Sequence, residues 1–126
     1  MQNPDNCRFT KTHEWISSDG SVGISDHAQK EITDVVFVEL PKVGREVKAR
    51  DPIAVVESVK AAFDIYSPVS GKIVKVNQAV SLNPALLNTS PYGDGWLFTI
   101  QKSNPSEEQN LMKHDQYQEF IKTSVH

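Results

Sequence analysis

Residues 53–68 read IAVVESVKAAFDIYSP, which places a lysine between two β-prone runs. The runs 53–57 and 63–67 are rich in β-branched and aromatic residues, a composition typical of strands. If the two runs pair as an antiparallel hairpin, Lys60 lies at its tip with its side chain in solvent. Small neighbours such as Ala61 would leave room for another protein to reach that lysine.

Similar short runs recur across the first hundred residues. Glycine, proline and aspartate residues that favour tight turns separate them. This spacing disfavours long helices and predicts a mainly β fold, a small sandwich or flattened barrel. The predicted strands cover residues 8–11, 14–17, 21–24, 35–40, 53–57, 63–67, 72–76 and 95–101.

Helix signals occur in two places. Near residues 26–31 a short helix is predicted, with Asp26 as its cap and Gln29 three residues later. At the far end, Asn104 suits an N-cap and Pro105 suits the first helical position. C-terminal helices are therefore predicted over about 105–123. Their apolar sides would come from Leu111 and Met112, and then from Tyr117, Phe120 and Ile121.

The size and charge of the chain limit its class. Its 126 residues suffice for one domain, since soluble domains usually contain roughly 100–200 residues. We therefore take residues 1–126 as a single domain, with a core over about 8–101 and a helical extension over about 105–123. The net charge of −3 is small and the basic residues are scattered, which argues against nucleic acid as a partner.

No membrane partner is expected, because no apolar run approaches the roughly 20 residues that span a bilayer. The first residues are polar and lack a targeting pattern, so we expect a cytoplasmic protein, or a mitochondrial matrix protein if a transit peptide was removed. We also expect a monomer.

Cys7 is the single cysteine, which rules out an intrachain disulfide, and we predict that its thiol lies at the surface.

Sequence signatures of catalysis are missing. The four histidines lie apart from one another, without metal-ligand spacing, and no phosphate-binding loop or nucleophile motif is present. We therefore expect a protein that presents a group to other proteins and is not itself an enzyme.

The sequence around Lys60 indicates which chemical group the protein presents to its partners. ESVKA at 57–61, followed by SPVSG at 67–71, resembles the lipoyl attachment site of glycine cleavage H proteins. Other blocks that resemble this family follow in the same order and extend the likeness over residues 9–100. They are HEW at 13–15, GISDHAQ at 23–29, VFVELP at 36–41, VN at 76–77 and PYGDGW at 91–96.

Two related carrier classes fit less well. In biotinyl carriers the target lysine typically lies between two methionines, whereas here Val59 and Ala61 flank it. Lipoyl domains of the 2-oxo acid dehydrogenase complexes more often have aspartate before the lysine, and they lack the HEW and PYGDGW blocks.

The resemblance implies a flattened sandwich of two antiparallel sheets and lipoate joined to Lys60 as an amide. It also implies a shuttle. A pyridoxal-phosphate glycine decarboxylase would load the aminomethyl group of decarboxylated glycine, an aminomethyltransferase would release ammonia, and dihydrolipoyl dehydrogenase would reoxidise the arm. A lipoate ligase or a lipoyl or octanoyl transferase would attach the cofactor.

Further site residues follow from the same resemblance. Thr12, Glu14 and Asp64 would line a cleft into which the loaded arm folds, and their polar groups would hold its amine. Glu57, three residues before Lys60, would be recognised by the attaching enzyme.

The chain departs from the family pattern at some positions. Thr33 stands where the family usually has glycine, and Phe63 stands where it has a small residue. The loop at 18–22 is shorter than in many members. Two other functions stay open from the sequence: a lipoyl relay that donates to the 2-oxo acid dehydrogenase complexes, and an unmodified β-sandwich interaction module.

Overall fold

Two antiparallel sheets form the body of the protein in a computed structural model, which describes residues 3–123. The strands are β1 (Arg8–Phe9), β2 (Glu14–Ile16), β3 (Ser21–Ile24), β4 (Val35–Glu39), β5 (Glu46–Val47), β6 (Pro52–Ser58), β7 (Ala62–Tyr66), β8 (Gly71–Val76), β9 (Phe98–Lys102) and β10 (Met112–Lys113). One sheet has seven strands in the order β10-β1-β2-β3-β9-β8-β5, and the other has three in the order β4-β6-β7.

Within residues 3–123, four short helices join or flank the strands. They are α1 (Asp26–Ile32), α2 (Gln78–Leu82), α3 (Leu86–Thr89) and α4 (His114–Thr123), with 3₁₀ helices at Pro4–Asn6 and Pro105–Asn110. No helix within residues 3–123 has both the length and the apolar character needed to cross a membrane.

One main apolar core holds the two sheets together. Its members from the larger sheet include Val22, Ile73 and Ile100, and those from the smaller sheet include Val38, Val56 and Ile65. All are buried, and burying such a side chain contributes roughly 1.5–3 kcal/mol. The predicted fold class is confirmed: a mainly β fold of two antiparallel sheets, neither of which closes on itself within the described residues.

The predicted strands are found, with shifted ends. Each of the eight predicted runs contains a strand, but the last begins at Phe98 rather than at residue 95 because Gly93 and Trp96 form a turn first. Strands β5 and β10 were not predicted from the sequence. Each has only two residues, too few for an alternation of apolar and polar side chains to be visible.

Helix α1 is capped by Ser25, so the prediction of Asp26 as its cap was wrong. The Ser25 hydroxyl accepts from the N–H of Ala28, while Asp26 lies in the first turn and accepts from the Gln29 amide. Ala28 and Ile32 join the main core, as their shared helix face predicts. Helices α2 and α3 were missed because their five and four residues give no helical period.

The C-terminal segment is more divided than predicted. Asn104 does cap a helix that begins at Pro105, but this is a 3₁₀ helix that ends at Asn110. Met112 therefore lies in β10 and not on the apolar side of a helix, which corrects the prediction for Leu111 and Met112. Helix α4 follows and carries the three predicted aromatic and apolar positions, Tyr117, Phe120 and Ile121.

A second, aromatic cluster attaches this segment to the larger sheet and contains Cys7. Cys7 is 3% exposed beside Phe9, Trp15 and Tyr117, so the prediction of a surface thiol was wrong. Burial raises the pKa of the Cys7 thiol to about 11, and the negative charge of Asp19 adds to the shift. The thiol is therefore shielded and protonated at neutral pH.

Thr33 ends helix α1 in a conformation that suits glycine. Its backbone has φ 70° and ψ −153°, a region that side chains with a Cβ atom rarely adopt. The Asn88 side chain holds it there: its Nδ2 donates to the Thr33 carbonyl, and its Oδ1 accepts from the N–H of Val35. Thr33 thus introduces strain at the end of α1.

Replacing Thr33 with glycine should stabilise the protein. Strain of this kind costs of order 1–3 kcal/mol, and the extra freedom of glycine in the unfolded chain offsets part of the gain. We expect Thr33→Gly to raise the free energy of unfolding by about 1 kcal/mol, measured by urea denaturation. Thr33→Ala keeps a Cβ atom and is the matched control. An equal gain in both variants would contradict the explanation.

Candidate functional site

The predicted lysine hairpin is confirmed. Strands β6 and β7 pair antiparallel, with Glu57 opposite Ala62 and Val56 opposite Phe63. Lys60 lies in the turn between them and is exposed. The site is therefore built on two strands whose inner faces belong to the main core.

The turn that carries Lys60 is held by one buried serine. The Ser58 hydroxyl accepts from the N–H groups of Lys60 (3.1 Å) and Ala61 (3.2 Å). The Ser58 N–H donates to the Ala61 carbonyl at 2.8 Å, and the Val59 N–H donates to the Asp34 carbonyl at 3.1 Å. The backbone of the turn is thus fixed from both sides, while the lysine side chain is left outside.

The lysine amine rests on the end of helix α1. Its Nζ donates to the carbonyl oxygen of Glu31 at 2.7 Å. That carbonyl lies in the last turn, where carbonyl groups lack helical partners and the helix dipole favours a cation. The contact directs the side chain towards the surface between α1 and β7.

A cleft lies on that surface, with a volume of about 250 Å³. We call it the α1 cleft. Ile24 and Ala28 give it an apolar floor, while Glu31 stands at the lysine end. Its lining also includes Thr12 and Asp64, two of the three residues that the family resemblance assigns to the arm cleft.

Phe63 takes part in both the cleft and the core. It is half-buried, packs against the main core and lines the α1 cleft. Phe63 therefore gives the α1 cleft an aromatic wall.

Glu14 lies behind the α1 cleft rather than in its wall. It is 1% exposed and lines a neighbouring cavity of about 430 Å³, which shares Thr12 with the cleft. Its carboxylate accepts from the hydroxyl groups of Thr10 and Thr12 and from the N–H of Tyr66. Burial raises the pKa of Glu14, and these hydrogen bonds oppose the shift.

Thr12 links Glu14 to the cleft. Its hydroxyl donates to the Glu14 carboxylate, so its oxygen lone pairs remain directed away from that carboxylate. The structure thus brings Thr12 and Asp64 to one cleft and places Glu14 one hydrogen bond further in. Glu57 lies elsewhere, exposed on β6 between Phe37 and Ala62.

Sequence reasoning missed the histidines beside the cleft. His13 and His27 both line it, with ring centroids 4.9 Å apart. His13 Nδ1 lies 2.7 Å from the Tyr117 hydroxyl, which also lies 2.7 Å from the Ser25 hydroxyl. Helix α4 is thereby tied to the cap of α1. The signal available was the spacing of His27 and Glu31, one helical turn apart.

The chemistry of the site rests on a primary amine. Among residues 3–123, no group of three or more histidine, cysteine, aspartate or glutamate side chains is placed to hold a metal ion. An exposed amine on a rigid turn, beside a cleft with apolar and polar walls, suits covalent attachment of a long acyl group.

Several known proteins with similar sequences are members of one family. The family model described as "Glycine cleavage H-protein" matches residues 7–124. The chain is 52% identical to the glycine cleavage system H protein of Endomicrobium trichonymphae over 124 residues, covering 96% of this chain and all of that protein. It is 50% identical to the one from Thermotoga maritima over 116 residues, covering 90% and 94%.

A solved structure agrees. The crystal structure of a glycine cleavage system H protein from Mycobacterium marinum superimposes with a TM-score of 0.87, at 36% identity, over 95% of this chain and 99% of that one. Sequence blocks, fold and relatives coincide over nearly the whole length. The chain therefore belongs to the glycine cleavage H-protein family.

Proposed function

We propose that this chain is the lipoyl carrier of a glycine cleavage system, with lipoate attached to Lys60. The observation that carries the proposal is the position of the Lys60 amine, on a fixed turn and 2.7 Å from the end of α1, beside the α1 cleft. Lipoate joined there as an amide would supply the disulfide that accepts the aminomethyl group of decarboxylated glycine. The whole chain would serve as one carrier domain, supported by the single main core.

The hairpin serves to present the arm. Since Ser58 fixes the backbone, the freedom of the site resides in the lysine side chain and the acyl chain joined to it. Tethering gives the arm a high effective concentration at any active site on which the carrier docks. An exposed tip of this kind suits visits to glycine decarboxylase, aminomethyltransferase and dihydrolipoyl dehydrogenase, and to the ligase or transferase that attaches lipoate.

The α1 cleft would hold the arm between visits. Its apolar floor suits the acyl chain, and the Asp64 carboxylate suits the ammonium group of a loaded arm. Thr12 would contribute its hydroxyl oxygen, oriented by its hydrogen bond to Glu14. Glu14 acts in this proposal as a positioning residue, because its carboxylate is turned into the protein.

Mass spectrometry tests the attachment site. Protein from cells supplied with lipoate should gain one lipoyl group, and peptide analysis should place it on Lys60. Lys60→Arg should abolish the gain because arginine cannot form the amide. Lys48→Arg, at another exposed lysine, is the matched control and should be modified like the wild type. A lipoyl group on any other residue, or none at all, would defeat the proposal.

Glu57 should matter for attachment of the cofactor. It is exposed on the outer face of β6, where an attaching enzyme can contact it. Loss of a hydrogen bond to a charged group costs about 1.5–3 kcal/mol, so we expect Glu57→Gln to slow lipoylation by roughly tenfold or more. Glu46→Gln, at an exposed glutamate on β5, is the control. Equal rates for the two variants would count against the role of Glu57.

Glu14 should make stability depend on pH. Its pKa in the folded protein is raised above the ordinary value of 4.5, so the folded state binds this proton more tightly than the unfolded chain. The stability gained from protonated Glu14 is present below pH 4.5 and is lost as the pH rises through the raised folded value.

The comparison of wild type with Glu14→Gln isolates this effect. Because glutamine does not titrate, the difference in unfolding free energy, wild type minus variant, should fall as the pH rises from 4.5. Urea denaturation between acidic and neutral pH measures it. A difference that stays constant or grows with pH would contradict the raised pKa.

A further inference from the structure

Strand β4 turns two consecutive apolar side chains to solvent. Val36 and Phe37 are 55% and 50% exposed, although a regular strand would direct one of them inward. The register against β6 shifts between Val35 and Phe37, which marks a β-bulge. Val35 and Val38 therefore both stay buried. Bulges re-aim side chains and are common beside functional sites.

The lysine turn extends this apolar surface. Val59 is 70% exposed, and its N–H donates to the carbonyl of Asp34, just before β4. Val35 opposes Ser58 across β4 and β6, which brings the bulge next to the turn. We call the surface formed by Val36, Phe37 and Val59 the apolar patch. It lies beside Lys60.

Four carboxylates surround the apolar patch. Phe37, Glu57 and Ala62 form one row across the three strands, and Glu39, Val55 and Asp64 form the next row on the same outer face. Asp34 immediately precedes β4 and lies next to the turn. We call these four exposed carboxylates the acidic ring; they are Asp34, Glu39, Glu57 and Asp64.

In the described part of the chain, the members of the acidic ring form no ion pairs. Within residues 3–123, none of its four members forms an ion pair with a lysine, arginine or histidine. Lys42 and Arg45 lie in the loop after β4 and line the same groove as Glu39 and Asp64. Lys60 is the cation beside the apolar patch, and attachment of an acyl group removes its positive charge. The modified protein therefore presents four carboxylates without ion-pair partners among residues 3–123 beside an apolar centre, with Lys42 and Arg45 in the adjoining groove.

We infer that the apolar patch and its acidic ring form the docking surface for a partner protein that presents an apolar socket ringed by lysine and arginine side chains. Desolvated apolar contacts at the centre of an interface supply most of the binding energy, and a charged rim steers the encounter and fixes orientation. This inference rests on the proposed function, since a partner docked here is placed to reach the arm on Lys60. Glycine decarboxylase is the probe partner for the test.

The apolar centre is tested by Phe37→Ser in the lipoylated chain. Truncation at an interface centre commonly weakens binding by roughly tenfold or more, and we expect that loss of affinity for glycine decarboxylase by calorimetry. Val74→Ser on β8, where the side chain is 44% exposed, is the matched control and should bind like the wild type. Circular dichroism of both variants checks that each is folded.

The acidic ring is tested by reversing charge at Asp34 and Glu39. Both side chains are exposed, so the double variant Asp34→Lys/Glu39→Lys should fold. The association rate for wild type should fall as NaCl is raised, because salt screens exposed charges. The double variant should associate about tenfold more slowly at low salt and lose this dependence. Glu46→Lys on β5 is the control and should keep it.

Each outcome decides between the two proposals. Binding that both Phe37→Ser and the double variant leave unchanged would overturn the docking surface, while the carrier function would stand. A wild-type chain that carries lipoate on Lys60 yet does not bind glycine decarboxylase would overturn both. Loss of binding in the Phe37 and charge variants, but not in their controls, is the expected result.

Discussion

The hydroxyl of Ser58 is the contact from which the rest of the site is built. Ser58 is buried, and its hydroxyl accepts hydrogen bonds from two backbone N–H groups of the turn. A turn fixed in this way lets β6 and β7 keep their register up to Glu57 and Ala62. The lysine is thus held out from the sheet by backbone geometry, and the contact of its amine with the Glu31 carbonyl directs the side chain.

The turn stands between two surfaces that share Asp64 and to which we assign different roles. On the side of α1 and β7 lies the α1 cleft, and on the side of β4 lies the apolar patch with its acidic ring. Hydrogen bonds join the turn to both surfaces. The Val59 N–H donates to the carbonyl of Asp34, and the Lys60 amine donates to the carbonyl of Glu31. In the proposed carrier, an arm joined to Lys60 would pass from the cleft into the space over which a docked partner would lie, without any movement of the sheets.

The sequence predicts the hairpin well, because strand propensity, turn residues and the lysine all act within sixteen residues, 53–68. Features decided by distant contacts are harder. Cys7 is buried by Tyr117 on α4, and Glu14 is buried where Tyr66 supplies an N–H. Neither contact leaves a local signal.

Two local features of the sequence were ambiguous for other reasons. Ser25 and Asp26 are both good caps, and only the hydrogen bond to Ala28 distinguishes them. The run VVFVE fits a regular strand and a bulged one equally well, so the exposure of both Val36 and Phe37 could not be foreseen.

Thr33 shows how strain beside a site can persist. Its conformation is fixed on both sides: the Thr33 N–H closes α1 on Gln29, and its carbonyl is held by Asn88, which also holds the first N–H of β4. These bonds over-determine the backbone, so the chain keeps the geometry that glycine would adopt and bears the cost as lower stability. The end of α1 that receives Lys60 and the start of β4 that bears the apolar patch are joined through this residue. Restoring glycine would therefore relieve the strain while leaving both surfaces where they are.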